Sequence, residues 1–313
     1  MSVAFIFPGQ GTQRPGMLHA LPDSRSIGAT LDESRSICAG LGVPSDLDSA
    51  EALRDTVATQ ISLVVGGVAC ARSLILEYGL APRFVAGHSV GAFAAAVIAE
   101  VLTLREALTT VYTRGESMRA ACSGGDWGMA AVTGLPVRAT EQLAIDVTTS
   151  RDPLWVANAN SATQTVVGGT ITALDAARRA AAEAGATAFE RLDVAVASHG
   201  PVQIGTAETL RAALSSLQRR TPGARYVTNT GGRSVGTAEA VLDDLANSVA
   251  YPVRWYDGVR LMAELGVTCT IETPPGHVLT RLVASIAPQI AAVAVGEVGL
   301  RAAVARAHRR KPW

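Results

Sequence analysis

Ser89 stands between two glycines in VAGHSVGAFAAAV, residues 85–97. A hydroxyl is a weak nucleophile at neutral pH; it needs a base, an oxyanion site and a backbone that exposes it. The G-x-S-x-G spacing of GHSVG answers the last need when a strand turns sharply into a helix with the serine at the bend. Gly87 and Gly91 permit the tight turn and leave room above the side chain. The helix N-terminus then offers free N–H groups and positive potential to a developing oxyanion. The pattern alone recurs often by chance, so context decides: a strand-like run, RFVAG, precedes it and a helix-like apolar run follows. The competing reading, a serine N-cap of a buried helix, leaves the two glycines without a purpose.

The base is sought among the five histidines, because the single lysine, Lys311, lies close to the C-terminus. His88 adjoins Ser89, and neighbouring side chains at such a turn point apart, so it reads as structural. His19 and His308 fall in a loop and in the tail. His199 and His277 (in PPGHVL) remain. A lone histidine is more often a satisfied polar group than a base, but His199 sits at a domain junction of the kind where clefts form, and is preferred. Gln10 in PGQGTQ is flanked by glycines just after the first strand, where backbone N–H groups can aim at a ligand or simply form a turn. Arg114 in YTRGES either clamps a substrate carboxylate with both prongs or is solvated; spacing does not choose.

These residues need elements to hold them. VAFIF (3–7) and RFVAG (83–87) read as buried strands, 59–79 as a long apolar helix closed by Gly79, 89–101 as a second helix and 104–121 as an amphipathic third. Alternating strands and helices imply a parallel sheet covered on both faces. After CSGGDWG the pattern becomes strand, helix, strand, strand, helix and a final strand in ATAFERLDVAV, the βαββαβ order of a ferredoxin-like unit. From SHGP the chain returns to helix, strand (ARYVTNT), helix and strand (TCTIET), and PPGHVL opens another helix. The expected architecture is α/β, with residues 1–125 and 199–313 forming the core and 126–198 a ferredoxin-like insert.

Composition narrows the function. Apolar residues make up 48% and charged residues 17%, and 27 Lys+Arg balance 27 Asp+Glu. A neutral chain is not expected to bind nucleic acid or a membrane surface. The runs 61–71 and 93–104 are too short or too interrupted to span a bilayer. Four dispersed cysteines without a CxxC pair, and no HExxH, give no disulfide framework and no metal site. The N-terminus has no signal-peptide pattern, so the expected location is the cytoplasm. The tail RRKPW is expected to fray.

FPGQGTQ, GHSVGAF, YTRG, ANANS with QTVVGG, VASH, YPVRW and TPPGHVL, taken in that order over nearly the whole chain, resemble the malonyl-CoA:acyl-carrier-protein transacylase family. The resemblance implies a hydrolase-like core with a ferredoxin-like insert. It further implies that Ser89 is acylated and His199 is its base, that the Gln10 and Val90 amides form the oxyanion hole, and that Arg114 binds the malonyl carboxylate. Malonyl-CoA is then a substrate and an acyl carrier protein the partner, with no permanently bound cofactor and no metal. Two positions depart from the fatty-acid-synthesis enzymes. GAF follows the elbow serine's GHSV where they have an acidic residue and an aromatic. Ser248 stands in place of their glutamine, in the segment whose backbone carbonyl orients the catalytic histidine. HSVGAFAAAV and ETPPGHVL are most similar to the epsilon subunit of bacterial malonate decarboxylase. That similarity implies a carrier subunit bearing a dephospho-CoA-type arm, the alternative being a transacylase of fatty-acid or polyketide synthesis.

Two other classes stand beside this reading. A serine esterase or thioesterase finds its acid in Asp193, which lies between Ser89 and His199 in the chain, but leaves PGQG without a role. A non-catalytic carrier-binding subunit predicts a damaged Ser, His or Arg, and all three are intact. The arginine pairs Arg219–Arg220 and Arg309–Arg310 are candidates for meeting an acidic carrier.

Overall fold

The computed structural model describes residues 2–194 and 196–308. The tail arginines Arg309–Arg310 and Lys311 therefore lie outside the described residues. The first part of the chain runs β1 (Val3–Phe7), α1 (Arg25–Gly40), α2 (Thr56–Leu76), β2 (Phe84–Gly87), α3 (Gly91–Ile98) and α4 (Leu104–Cys122). A second group follows: β3 (Trp127–Thr133), α5 (Val137–Val147), β4 (Leu154–Ala159), β5 (Gln164–Thr170), α6 (Ile171–Glu183) and β6 (Ala188–Arg191). The remainder is α7 (Ile204–Ser215), β7 (Arg225–Val227), β8 (Ser234–Val235), α8 (Ala238–Asn247), α9 (Trp255–Glu264), β9 (Cys269–Glu272), α10 (Val278–Ile286), β10 (Ala291–Ala294) and α11 (Val295–His308).

The larger sheet has the order β10-β9-β1-β2-β7-β8 and is parallel except for the β7–β8 pair. All five residues of β1 are buried, because both faces of a parallel sheet are covered. Its side chains alternate between two cores. Val3, Phe5 and Phe7 pack with α2, α3 and α4, while Ala4 and Ile6 meet Val259, Met262, Leu279 and Val283 of α9 and α10. The smaller sheet is antiparallel throughout, in the order β4-β5-β3-β6, the split βαβ arrangement. Ala130, Val132 and Val167 face α5 and α6, whereas Met129 and Val166 join the larger core. The small sheet is tied by backbone to the segment between α8 and α9: Ala159 N–H donates to Val253 O at 2.8 Å, and Val253 N–H to Ala157 O at 2.9 Å.

Several elements differ from the pattern reading. The helix expected over 59–79 starts at Thr56, because the Asp55 carboxylate accepts the Ala58 N–H and caps it. At 21 residues α2 is long and apolar enough to cross a bilayer, yet 83% of its most apolar window is buried inside the protein. The strand expected over 186–196 keeps only Ala188–Arg191, since the chain there leaves the small sheet for the larger lobe. Helix α1 is invisible to an apolar-run reading: it buries little beyond Ile27, Ile37 and Cys38 among its apolar side chains. The one helix expected between ARYVTNT and TCTIET is two, α8 and α9, divided before Pro252, which disfavours helix in the residue before it.

Candidate active site

Strands β1 and β2 are parallel neighbours, with Phe7 opposite Gly87, so the loops following them open at the same sheet edge. Gln10 lies in one loop and Ser89 in the other. Ser89 has φ +53°, a left-handed conformation that side chains rarely adopt. The two flanking glycines are demanded by space. A Cβ at Gly87 would overlap the Ala92 amide, and one at Gly91 the Phe7 carbonyl oxygen. The amide N–H groups of Gln10 and Val90 make no hydrogen bond among the described residues, and Val90 is the N-cap of α3. Two free donors thus flank the serine, one at a helix N-terminus.

His199 Nε2 lies 2.9 Å from Ser89 Oγ, and the ring is buried. Its Nδ1 meets the Ser248 carbonyl oxygen. A carbonyl can only accept, so Nδ1 carries the proton and Nε2 presents a lone pair to the Ser89 hydroxyl. Burial holds the imidazole pKa down to about 3, with the Arg114 charge as the next cause. The ring is neutral throughout the physiological range.

Arg114 projects from α4 and is only 1% exposed. Its Nη1 donates to Gln60 Oε1 at 2.6 Å and its Nη2 to Ser89 Oγ at 3.2 Å, while Nε has no partner among the described residues. Among the described residues no carboxylate lies within ion-pair distance. Burial lowers its pKa to about 10, still leaving it cationic at neutral pH. A buried cation without a counter-ion among the described residues, beside a hydroxyl that a neutral imidazole contacts, is a ready site for an anionic acyl group.

The other candidates fall elsewhere. His88 Nε2 turns to Asn160 Oδ1 at 3.1 Å, and its ring packs on Trp255. His277 pairs with Glu297 at 2.9 Å, and His19 with Asp48. Asp193 is exposed on the groove outside and does not touch His199, so the Ser–acid–His arrangement of an esterase is not formed. Arg220 is committed to Glu106 and Val101 O, and Arg219 to the carbonyls of Leu214, Ser215 and Leu217. These two are structural rather than a free basic patch.

Sequence reasoning missed Gln60, Asn158 and Asn229. Gln60 carried a signal: a polar side chain inside an apolar helix demands a buried partner. The chamber around Ser89, lined by Gln10, Arg114, Met118, Met129, Asn158 and His199 among others, adjoins a groove of about 490 Å³. That groove runs between the two sheets and shares Gln10, His88, Asn158, Leu192 and Val194 with the chamber.

A parallel α/β core with a serine at a strand-to-helix turn, backed by a histidine whose second nitrogen is fixed, is a framework for acyl transfer through serine. Residues 4–299 match the acyl transferase domain family, and the chain belongs to that family. It is 33% identical over 302 residues to the malonyl CoA-acyl carrier protein transacylase of Escherichia coli strain K12, covering 96% of this chain and 97% of that protein. Its fold superposes on the crystal structure of an acyl-carrier-protein S-malonyltransferase from Burkholderia pseudomallei 1710b with a TM-score of 0.90. That match is 32% identical and covers 97% of this chain and 100% of the other. A malonyl-transacylase solved in complex with a type II polyketide acyl-carrier protein is 30% identical, with a TM-score of 0.88 and coverage of 97% and 99%.

Proposed function

We propose that this acyltransferase moves malonyl from malonyl-CoA to the thiol of an acyl carrier protein through an ester on Ser89. The observation that carries the reading is the meeting at one oxygen of His199 Nε2 and the unpaired Arg114 guanidinium. Malonyl-CoA enters with its carboxylate on Arg114, where Nε and the prong now spent on Ser89 form a two-pronged contact. Ser89 Oγ attacks the thioester carbonyl while His199 Nε2 takes the hydroxyl proton. The oxyanion is received by the Gln10 and Val90 amides. Collapse breaks the C–S bond, and His199 returns the proton to the departing CoA sulfur. A carrier thiol then repeats the steps in reverse and leaves with the malonyl group.

Charge couples these events. Arg114 is the second cause of the low His199 pKa; a substrate carboxylate seated on it cancels that charge and strengthens the base when malonyl is bound. The groove suits an extended pantetheine arm, and the buried Asn158 Oδ1, without a partner among the described residues, is an acceptor for one of its amides. In this reading residues 1–125 and 199–313 carry the reacting groups, and 126–198 form the opposite wall of the groove. Its location is the cytoplasm, where CoA thioesters are made and used.

The relatives support an acyl carrier protein of fatty-acid or polyketide synthesis better than the malonate decarboxylase carrier expected from GHSVGAF and TPPGHVL. Incubation with malonyl-CoA alone should leave one malonyl group on the protein by intact mass, absent in Ser89→Ala; label persisting in that variant overturns the assignment. Competing the two carriers separates the roles. A tenfold advantage in kcat/KM for the decarboxylase carrier, about 1.4 kcal/mol of transition-state preference, would restore the decarboxylase reading.

A further inference from the structure

The Asp244 carboxylate is buried on α8 and takes no ion pair among the described residues. Instead it collects neutral donors from the end of β7 and the loop beyond. Tyr226 OH donates to Oδ2 at 2.8 Å and Asn229 N–H to the same oxygen at 2.9 Å. Thr230 N–H and Oγ1–H donate to Oδ1 at 2.9 and 2.8 Å. The Asn229 amide nitrogen also faces the carboxylate, at 3.5 Å from Oδ2. A carboxylate only accepts, so the Asn229 side chain has one allowed orientation, with Oδ1 turned the other way. There Oδ1 accepts the Ser89 backbone N–H at 2.9 Å.

The same helix serves the base. Ser248 N–H donates to Asp244 O at 2.8 Å in the last turn of α8, and the Ser248 carbonyl receives His199 Nδ1. The neighbouring Val249 carbonyl accepts the His199 N–H at 2.7 Å.

We propose that Asp244 and Asn229 are positioning residues that fix both members of the Ser89–His199 pair. Asn229 holds the nucleophile's amide, and Asp244 anchors Asn229 and the helix end that orients the histidine. The inference rests on the reading of Ser89 and His199 as nucleophile and base. It accounts for two otherwise unconnected facts. Ser89 keeps a left-handed backbone because its N–H, which the turn would orphan, has a rigid acceptor. With that N–H occupied, the adjacent Val90 N–H is the free one, which assigns the oxyanion donor to the residue after the serine.

The test is single-turnover acylation by malonyl-CoA, followed by rapid quench and intact mass at a series of concentrations. Asn229→Ala and Asp244→Asn should lower the maximal acylation rate by about 10- to 100-fold, the scale of a small misplacement of reacting groups. The half-saturating malonyl-CoA concentration should change less than about twofold, because Arg114 and the groove are untouched. Tyr226→Phe removes a hydrogen bond to the same carboxylate and a contact with the Asn229 side chain, but leaves the Asn229 Oδ1 acceptor of the Ser89 N–H in place, and serves as the structural control. It should lower the melting temperature yet acylate within about threefold of the parent. Should Asp244→Asn not fold, Asn229→Ala and Tyr226→Phe still decide the matter. Asn229→Ala acylating at the parental rate overturns the inference, as does a rate loss in Tyr226→Phe equal to that in Asn229→Ala. Ser89→Ala, run alongside, keeps the two readings apart. Label surviving in Ser89→Ala overturns the nucleophile itself; label lost there with Asn229→Ala unimpaired overturns only the positioning role.

Discussion

At the scale of residues, the site depends on one buried cation and one neutral ring sharing a serine oxygen. Removing the cation should discriminate between acyl groups. Arg114→Ala should lose about 3–5 kcal/mol of transition-state stabilisation for malonyl transfer, the cost of an unmatched buried charge, and little for acetyl transfer, measured as kcat/KM on each CoA thioester. Equal losses would make Arg114 structural. Arg114→Lys should not restore malonyl transfer, since an ammonium lacks the two-pronged contact. The histidine makes a second prediction, through pH. Its folded pKa, about 3, lies below the ordinary histidine value. The ring is therefore already deprotonated at pH 6.5, and if it serves as the proposed base, single-turnover acylation should stay level from about pH 8 down past 6. A half-maximal rate near pH 6.5 would contradict this. The sign for stability is the same. The unfolded chain takes up the proton first, so the contribution of a neutral His199 is complete above about pH 6.5 and is lost as pH falls toward 3.

At the scale of elements, α4 decides where Arg114 points. Its first turn is closed by a capping box, in which Thr103 Oγ1 accepts the Glu106 N–H and the Glu106 carboxylate accepts the Thr103 N–H. Arg220, from the segment ahead of β7, then grips Glu106 with both terminal nitrogens at 2.7 and 2.9 Å. The Arg220 hydrogen bond is the leading reason that the Glu106 carboxyl titrates below its usual range. Glu106→Ala should cost about 1–3 kcal/mol of stability at pH 7, read from urea unfolding. A depressed carboxylate pKa contributes above the unfolded value and is lost as pH falls through the folded one. Parent and variant should therefore converge below about pH 4.5. A gap that does not narrow as pH falls below about 4.5 would assign the loss to packing. Malonyl-CoA saturation should weaken in the same variant, because the helix that aims the guanidinium is less firmly seated.

At the scale of the whole molecule, the small sheet and the segment between α8 and α9 build the wall that holds the histidine. Trp155, on β4 of the small sheet, donates from Nε1 to the Ser198 carbonyl at 3.0 Å, one residue before His199. The Val253 backbone pairs with β4 just after the segment that carries Ser248. The small sheet is thus a support of the His199 segment as well as a wall of the groove. Trp155→Phe removes one hydrogen bond and part of an aromatic contact with Trp127. It should lower the melting temperature by a few degrees and slow acylation, with thermal unfolding of parent and variant each remaining a single transition by calorimetry. Two separate transitions in the parent would mean that the sheets do not support each other.

The sequence by itself determined the features that short-range physics decides. Apolar β1 and β2, the glycine-flanked turn at Ser89 and the helix after it are legible because they follow from periodicity and from the room a Cβ needs. The βαββαβ order was legible for the same reason, while β6 is shorter than its apolar run because the chain must cross between lobes. From spacing alone His199 and Arg114 were legible as candidates but not as partners; only the resemblance implied that they act with Ser89. Ser89 and His199 lie 110 residues apart, and nothing local to either records the distance between them. Spacing left open whether Arg114 faces inward and whether Asp193 reaches the histidine, and the tertiary structure decided both. It alone brought Gln60, Asn229 and Asp244 to the site. The physical reason is that these contacts are made by the lateral order of β1, β2 and β7 and by the close packing of α2, α4 and α8. They satisfy buried polar groups whose partners come from distant parts of the chain.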